Sequence, residues 1–125
     1  MKSIFLLFIL FTPFSDLMAQ ETSIVVMNHY WAKEGKREEV YQHRLYASEV
    51  RKNIGLEVGR VLLNTETKGE SPDVTWICEY QSKEARDKDV QLLQNSGQFD
   101  EVMKKMDTLT DKFERTVYKI SNGQK

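Results

Sequence analysis

Cysteine is almost missing from this chain: Cys78 is the single one among 125 residues. One thiol excludes a disulfide within the chain and any cysteine-built metal knuckle. Histidine is scarce as well, with His29 and His43 the two present. Neither belongs to a His-x-x-His or Glu-x-x-His pattern, so no metal site is expected. No glycine-rich phosphate loop, P-loop or nucleophile elbow occurs, and no cofactor is expected. Charge of one sign is lacking too: 18 basic residues stand against 19 acidic ones, for a net charge of −1. That balance gives no reason to expect nucleic acid or an anionic membrane as a partner. No apolar run reaches the roughly 20 residues that a membrane-spanning helix needs.

A shorter apolar run does stand at the start. Lys2 precedes Ile4–Phe11, and Pro13 and Asp16 then break the run. A basic start, a brief apolar stretch and a small residue at the cut describe a secretory signal peptide. Residues 1–19 are therefore expected to be one, cleaved after Ala19, or after Gln20 as the alternative. An uncleaved anchor is the competing reading. No cysteine lies near the cut to carry a lipid. The expected product, 20–125, is a single exported domain, periplasmic or secreted, with no membrane association after cleavage. Export permits disulfides, but Cys78 lies in an apolar strand pattern and reads as a buried structural thiol.

Periodicity then divides the chain. Ser23–Ala32 is rich in β-branched and aromatic residues and reads as a strand. Lys36–Asn53 has neither Gly nor Pro and reads as a helix, with Val40, His43, Ala47, Val50 and Ile54 on one face and Gly55 as its stop. Leu56–Thr65 reads as a second strand, with Gly59 a candidate bulge, and Glu66–Asp73 as a polar turn. Val74–Tyr80 alternates cleanly and reads as a third strand. Ser82 is placed to cap a helix that ends at Ser96-Gly97. A further amphipathic stretch carries Phe99, Val102, Met103 and Met106, and Lys112–Ile120 reads as the last strand.

The order β-α-β-β-α-β, with the second helix broken in two, predicts an α+β, ferredoxin-like fold: a four-stranded antiparallel sheet with helices on one face. Both faces of the first and third strands are apolar or aromatic. Val25, Met27 and Trp31 oppose Ile24, Val26 and Tyr30. Helices cover one face, so the other predicts a second sheet packed against it, and hence a homodimer.

Three stretches resemble the dimeric α+β barrel superfamily, and within it NIPSNAP-like and related uncharacterised small domains. They are Ala32-Lys33-Glu34-Gly35-Lys36 after the first strand, Trp76–Arg86 at the strand-to-helix junction, and Gly97-Gln98-Phe99-Asp100 at the helix break. The resemblance spans Ser23 to Ile120 and implies a dimeric α+β barrel. That superfamily holds cofactor-free monooxygenases, haem-degrading enzymes, chlorite dismutase-like haem proteins and many members without known activity, so the fold leaves function open. Asn28 sits where the haem-degrading branch carries an Asn. Its Trp and haem-ligating His have no counterpart between Asp87 and Met106, which speaks against haem chemistry.

The candidate ligand-binding residues are Asn28, Tyr30, His43, Trp76 and Tyr80. Aromatic rings on neighbouring strands can line a pocket for a small apolar or aromatic molecule, with a polar group fixing its orientation. Strand parity sets Asn28 and Tyr30 on one face and His29 and Trp31 on the other; by the resemblance, Asn28 faces the helices, where it could meet His43. The bland alternative is that the aromatics fill the core and the dimer seam. Should the protein be an enzyme, Asn28, His43 and Trp76 are the catalytic candidates, and the resemblance implies a cofactor-independent monooxygenase or isomerase of the antibiotic-biosynthesis monooxygenase type. A purely structural, oligomerising role is the third reading. Arg44 and Arg51 share a helix stripe with Ser48; they read as a solvated face, with an anion site as the alternative. A cavity of about 300 Å³ or more with convergent polar groups separates the binding readings from the structural one.

Overall fold

The computed structural model describes residues 23–121. The expected export segment lies outside them. The element order is β1 (Ser23–Ala32), α1 (Arg37–Ile54), β2 (Arg60–Leu63), β3 (Val74–Tyr80), α2 (Lys83–Ser96), α3 (Asp100–Leu109) and β4 (Thr110–Ile120). The strands form one antiparallel sheet in the order β2-β3-β1-β4. This is the ferredoxin-like arrangement that the pattern of periods predicts. Within the sheet, Ser23 at the start of β1 pairs with Ile120 at the end of β4.

The helices begin and end where local chemistry dictates. At the end of α1, Gly55 takes φ +89°, its N–H donates to Lys52 O, and Leu56 N–H donates to Arg51 O. These two bonds make a Schellman motif, which a glycine in the left-handed region allows. Glu38 and Glu39 in the first turn and Arg51 and Lys52 in the last complement the helix dipole. Ser82 caps α2 as expected: its hydroxyl accepts the Ala85 N–H at 3.1 Å, an interaction worth about 1 kcal/mol.

The second strand is shorter than its sequence predicts, four residues in place of Leu56–Thr65. The reason lies in what residues 57–59 bond to. Glu57 O accepts from Arg51 Nε, Glu57 N–H donates to Asp89, and Val58 O accepts from Trp76 Nε1. Those backbone groups are committed to side chains and cannot join the ladder. Gly59 then turns the chain at φ +70°. It precedes the strand and is not a bulge within it. A Cβ there would stand 2.5 Å from Trp76 Nε1 and 2.7 Å from Ile77 O, so only glycine fits.

All three helices pack on one face of the sheet. Val26, Asn28 and Tyr30 of β1 and Val74, Trp76, Cys78 and Tyr80 of β3 point towards them and are buried. The core falls into two clusters. One joins these strand residues, Asn28 excepted, to Val40, Met106 and Leu109, and the other joins Ala47, Val50 and Val102 of α1 and α3. Val40 and Val74 are wholly shielded, a burial worth about 1.5–3 kcal/mol each. The opposite sheet face carries Val25, Met27, Trp31, Leu62, Ile77 and Tyr118, all half-buried or exposed. At its centre the His29 ring nitrogens meet Thr75 Oγ1 at 3.0 Å and Thr116 Oγ1 at 3.2 Å.

Candidate functional site

A cavity of about 400 Å³ lies between the two core clusters, floored by the sheet and roofed by the helices. Its origin is visible in α1. The stripe of that helix facing the sheet is Val40, His43, Arg44, Ala47, Ser48, Val50 and Arg51. Its middle members, Ala47 and Ser48, are too small to reach the strands. Space is left over the sheet, flanked by two arginines.

Four of the five sequence-predicted binding residues line this cavity: Asn28, Tyr30, Trp76 and Tyr80. Phe99, Met103 and Met106 of the broken second helix add apolar wall, and Phe113 and Arg115 of β4 stand on it as well. The Asn28 amide oxygen accepts from Arg115 Nε at 2.8 Å, which fixes its rotamer.

The fifth, His43, is elsewhere. It is buried between α1 and α3, and its Nε2 donates to Val102 O at 2.8 Å. It lines a separate surface depression with Gln42, Tyr46 and Lys105. Asn28 and His43 therefore do not meet, and the trio Asn28, His43 and Trp76 does not converge on one point. The physical reason is helix phase. His43 lies on the shoulder of the buried stripe that turns to α3, whereas Arg44, one residue on, turns to the sheet.

The arginines correct a second expectation. Arg44 and Arg51 are not a solvated face; they are 3 % and 4 % exposed. Both guanidinium groups lie over the Trp76 indole, at 4.6 and 4.9 Å from its centroid, within range of a cation–π attraction. Arg51 is fully engaged. Its Nη2 meets Asp89 Oδ1 at 2.6 Å and Tyr80 OH at 3.2 Å, and its Nε donates to Glu57 O at 2.7 Å. Tyr80 OH donates to Asp89 Oδ1 at 2.9 Å, and Glu57 N–H reaches Asp89 Oδ2. Burial raises the Tyr80 phenol well above its ordinary range. It likewise raises the Cys78 thiol, which is buried and free, as its strand position predicts.

Arg44 is held more loosely, by the Trp76 ring and the neutral Tyr30 hydroxyl. Its Nε and Nη1 are buried without a hydrogen-bond partner, as is Ser48 Oγ nearby on the helix. No carboxylate among the described residues forms an ion pair with it. Burial pushes its guanidinium down to about 10, the Arg51 charge adds to that, and Tyr30 opposes it. Sequence reasoning missed Arg44, Arg51 and Asp89 as cavity residues. No group of His, Cys, Asp and Glu suited to a metal ion occurs among the described residues.

Fold and cavity together define a small ferredoxin-like α+β domain with an open cleft between helices and sheet. Solved structures share this fold. One is an uncharacterised NIPSNAP-like domain protein from Burkholderia xenovorans, 17% identical, with a TM-score of 0.62 over 82% of this chain and 89% of that one. Another, from Bacteroides fragilis, is described as a dimeric protein of unknown function with a ferredoxin-like fold; it is 13% identical, with a TM-score of 0.59 over 78% of this chain and 96% of that one. A NIPSNAP family protein of unknown function from Agrobacterium tumefaciens is 17% identical, with a TM-score of 0.59 over 82% and 91%. The resemblance drawn from the residues is thus met at the level of the fold. No protein-family model matches the chain, and no curated protein matches it in sequence.

Proposed function

We propose that the chain is an exported, homodimeric binding domain whose helix–sheet cavity holds a small apolar or aromatic molecule. The cavity itself carries this reading. At about 400 Å³ it falls within the range of small-molecule sites, roughly 300–1,000 Å³. Five aromatic rings and two methionines line it among charged side chains, with Asn28 as a held polar contact. The dimer is supported by the apolar outer face of the sheet and by similar structures described as dimeric. Export is supported by the N-terminal pattern of the sequence.

Native mass spectrometry of the protein purified gently from its own source tests all three parts. A dimer that starts near Gln20 and carries a non-covalent small molecule is the expected result. A monomer at micromolar concentration removes the dimer, a retained Met1 removes cleavage and export, and a dimer that takes up no apolar or aromatic compound removes the binding role.

A further inference from the structure

The Arg44 guanidinium is the one feature of the cavity that an apolar ligand leaves unexplained. A buried charge without a partner costs several kcal/mol, and folded proteins pair such groups or hold them for something that arrives later. The neutral hydroxyls of Tyr30 and Ser48 beside it bring no countercharge, and the other acceptors at hand are committed. Asp89 is taken by Arg51 and Tyr80, and Asn28 Oδ1 by Arg115. The cavity lining holds four arginines and three aspartates, a surplus of one positive charge.

We propose that the ligand is an organic acid: an apolar or aromatic body filling the cavity, with a single carboxylate taken by Arg44. The inference rests on the binding role above and narrows its ligand class. A carboxylate suits a guanidinium in sign, and charge-assisted N–H···O bonds to it are the strong ones. One negative charge also balances the surplus, whereas a phosphate dianion exceeds it by one. The acid group then lies beside Trp76, whose ring holds the Arg44 guanidinium from one side, and the body extends towards Phe99, Met106 and Phe113.

The test uses matched pairs that differ only at the polar end: naphthylacetate with naphthylethanol, and octanoate with octanol. Binding to the mature protein is read by calorimetry and by quenching of tryptophan emission. The acid of each pair should bind about tenfold more tightly or better, the margin expected of a charge-assisted bond in a shielded site. Arg44→Met should erase that margin, so that acid and alcohol of each pair bind the variant alike. Arg44→Lys should keep part of it. Acid and alcohol binding equally to the wild type would overturn the acid assignment while leaving the apolar site standing, and this comparison needs no variant to fold. Inorganic phosphate that displaces naphthylacetate at equal concentration would overturn the choice of a carboxylate. If no member of either pair binds, the binding role itself fails, and the acid inference with it.

Discussion

Arg44 and Arg51 stand two helical turns apart on the same face of α1, over the same indole, and equally buried, yet their surroundings are opposite. Around Arg51 every acceptor is in place: a carboxylate, a phenol and a backbone carbonyl from three different segments. Around Arg44 two nitrogens have nothing to bond to among the described residues. The same residue type on the same helix thus does two jobs. At Arg51 the charge is part of the frame, tying α1 to α2, β3 and the loop before β2. At Arg44 it is kept in reserve beside a cavity.

Asp89→Ala should break the contrast most heavily. It turns Arg51 into a second Arg44, buried and unmatched, and should cost about 3–5 kcal/mol in denaturant unfolding. A loss below about 1 kcal/mol would mean that the ion pair is not structural. Gly59→Ala comes next, because the added methyl meets Trp76 at 2.5 Å and the backbone at 2.7 Å in a left-handed conformation. About 3 kcal/mol is expected from overpacking and strain together, with a shift in tryptophan emission as the indole moves.

Tyr80→Phe removes one hydroxyl from the Arg51 cluster and should cost about 1–2 kcal/mol. It should also change the response to alkali. In the unfolded chain the Cys78 thiol and Tyr80 phenol ionise near their ordinary 9.0 and 10.0, and burial raises both in the folded state. The native protein then holds protons that the unfolded one releases, so stability falls as pH rises above about 9. Arg44 acts in the opposite sense, but only from about 10 upwards, where its lowered value lies. Denaturation midpoints across that window should decline in the wild type and decline less in Tyr80→Phe. Arg44→Met should have the smallest effect on the unliganded protein, within about 1 kcal/mol of wild type or more stable, since it removes a charge that nothing compensates. A loss as large as that of Asp89→Ala would show that Arg44 is framework after all.

The fold was legible because its signals are periodic. Val74–Tyr80 alternates residue by residue, Gly55 and Gly97 end their helices in the left-handed conformation, and strand parity sets Asn28 and Tyr30 together on one face. The shortened β2 was not legible, because Glu57 and Val58 are diverted by side chains distant in sequence. Nor were the arginines, since a charged residue on a helix ordinarily faces water. A signal did exist. Neither Arg44 nor Arg51 has an acid three or four residues away, unlike Lys36 with Glu39 or Lys83 with Asp87, and small residues at Ala47 and Ser48 separate them. Exposed helical cations usually come with such neighbours. His43 lies on the helix that the sequence predicts for it, but periodicity does not separate the stripe facing the sheet from the shoulder facing α3.

The pairing of Ser23 with Ile120 brings the two ends of the described chain side by side at one corner of the sheet. Topologically the domain is nearly a ring with one cut. A few residues joining Ile120 to Ser23 would close it, and fresh ends could be opened in the exposed turn at 66–70 between β2 and β3, since surface turns of this kind tolerate circular permutation. Whatever precedes Ser23 therefore emerges beside whatever follows Ile120, and a tether or fused module attached at either end hangs from the same corner.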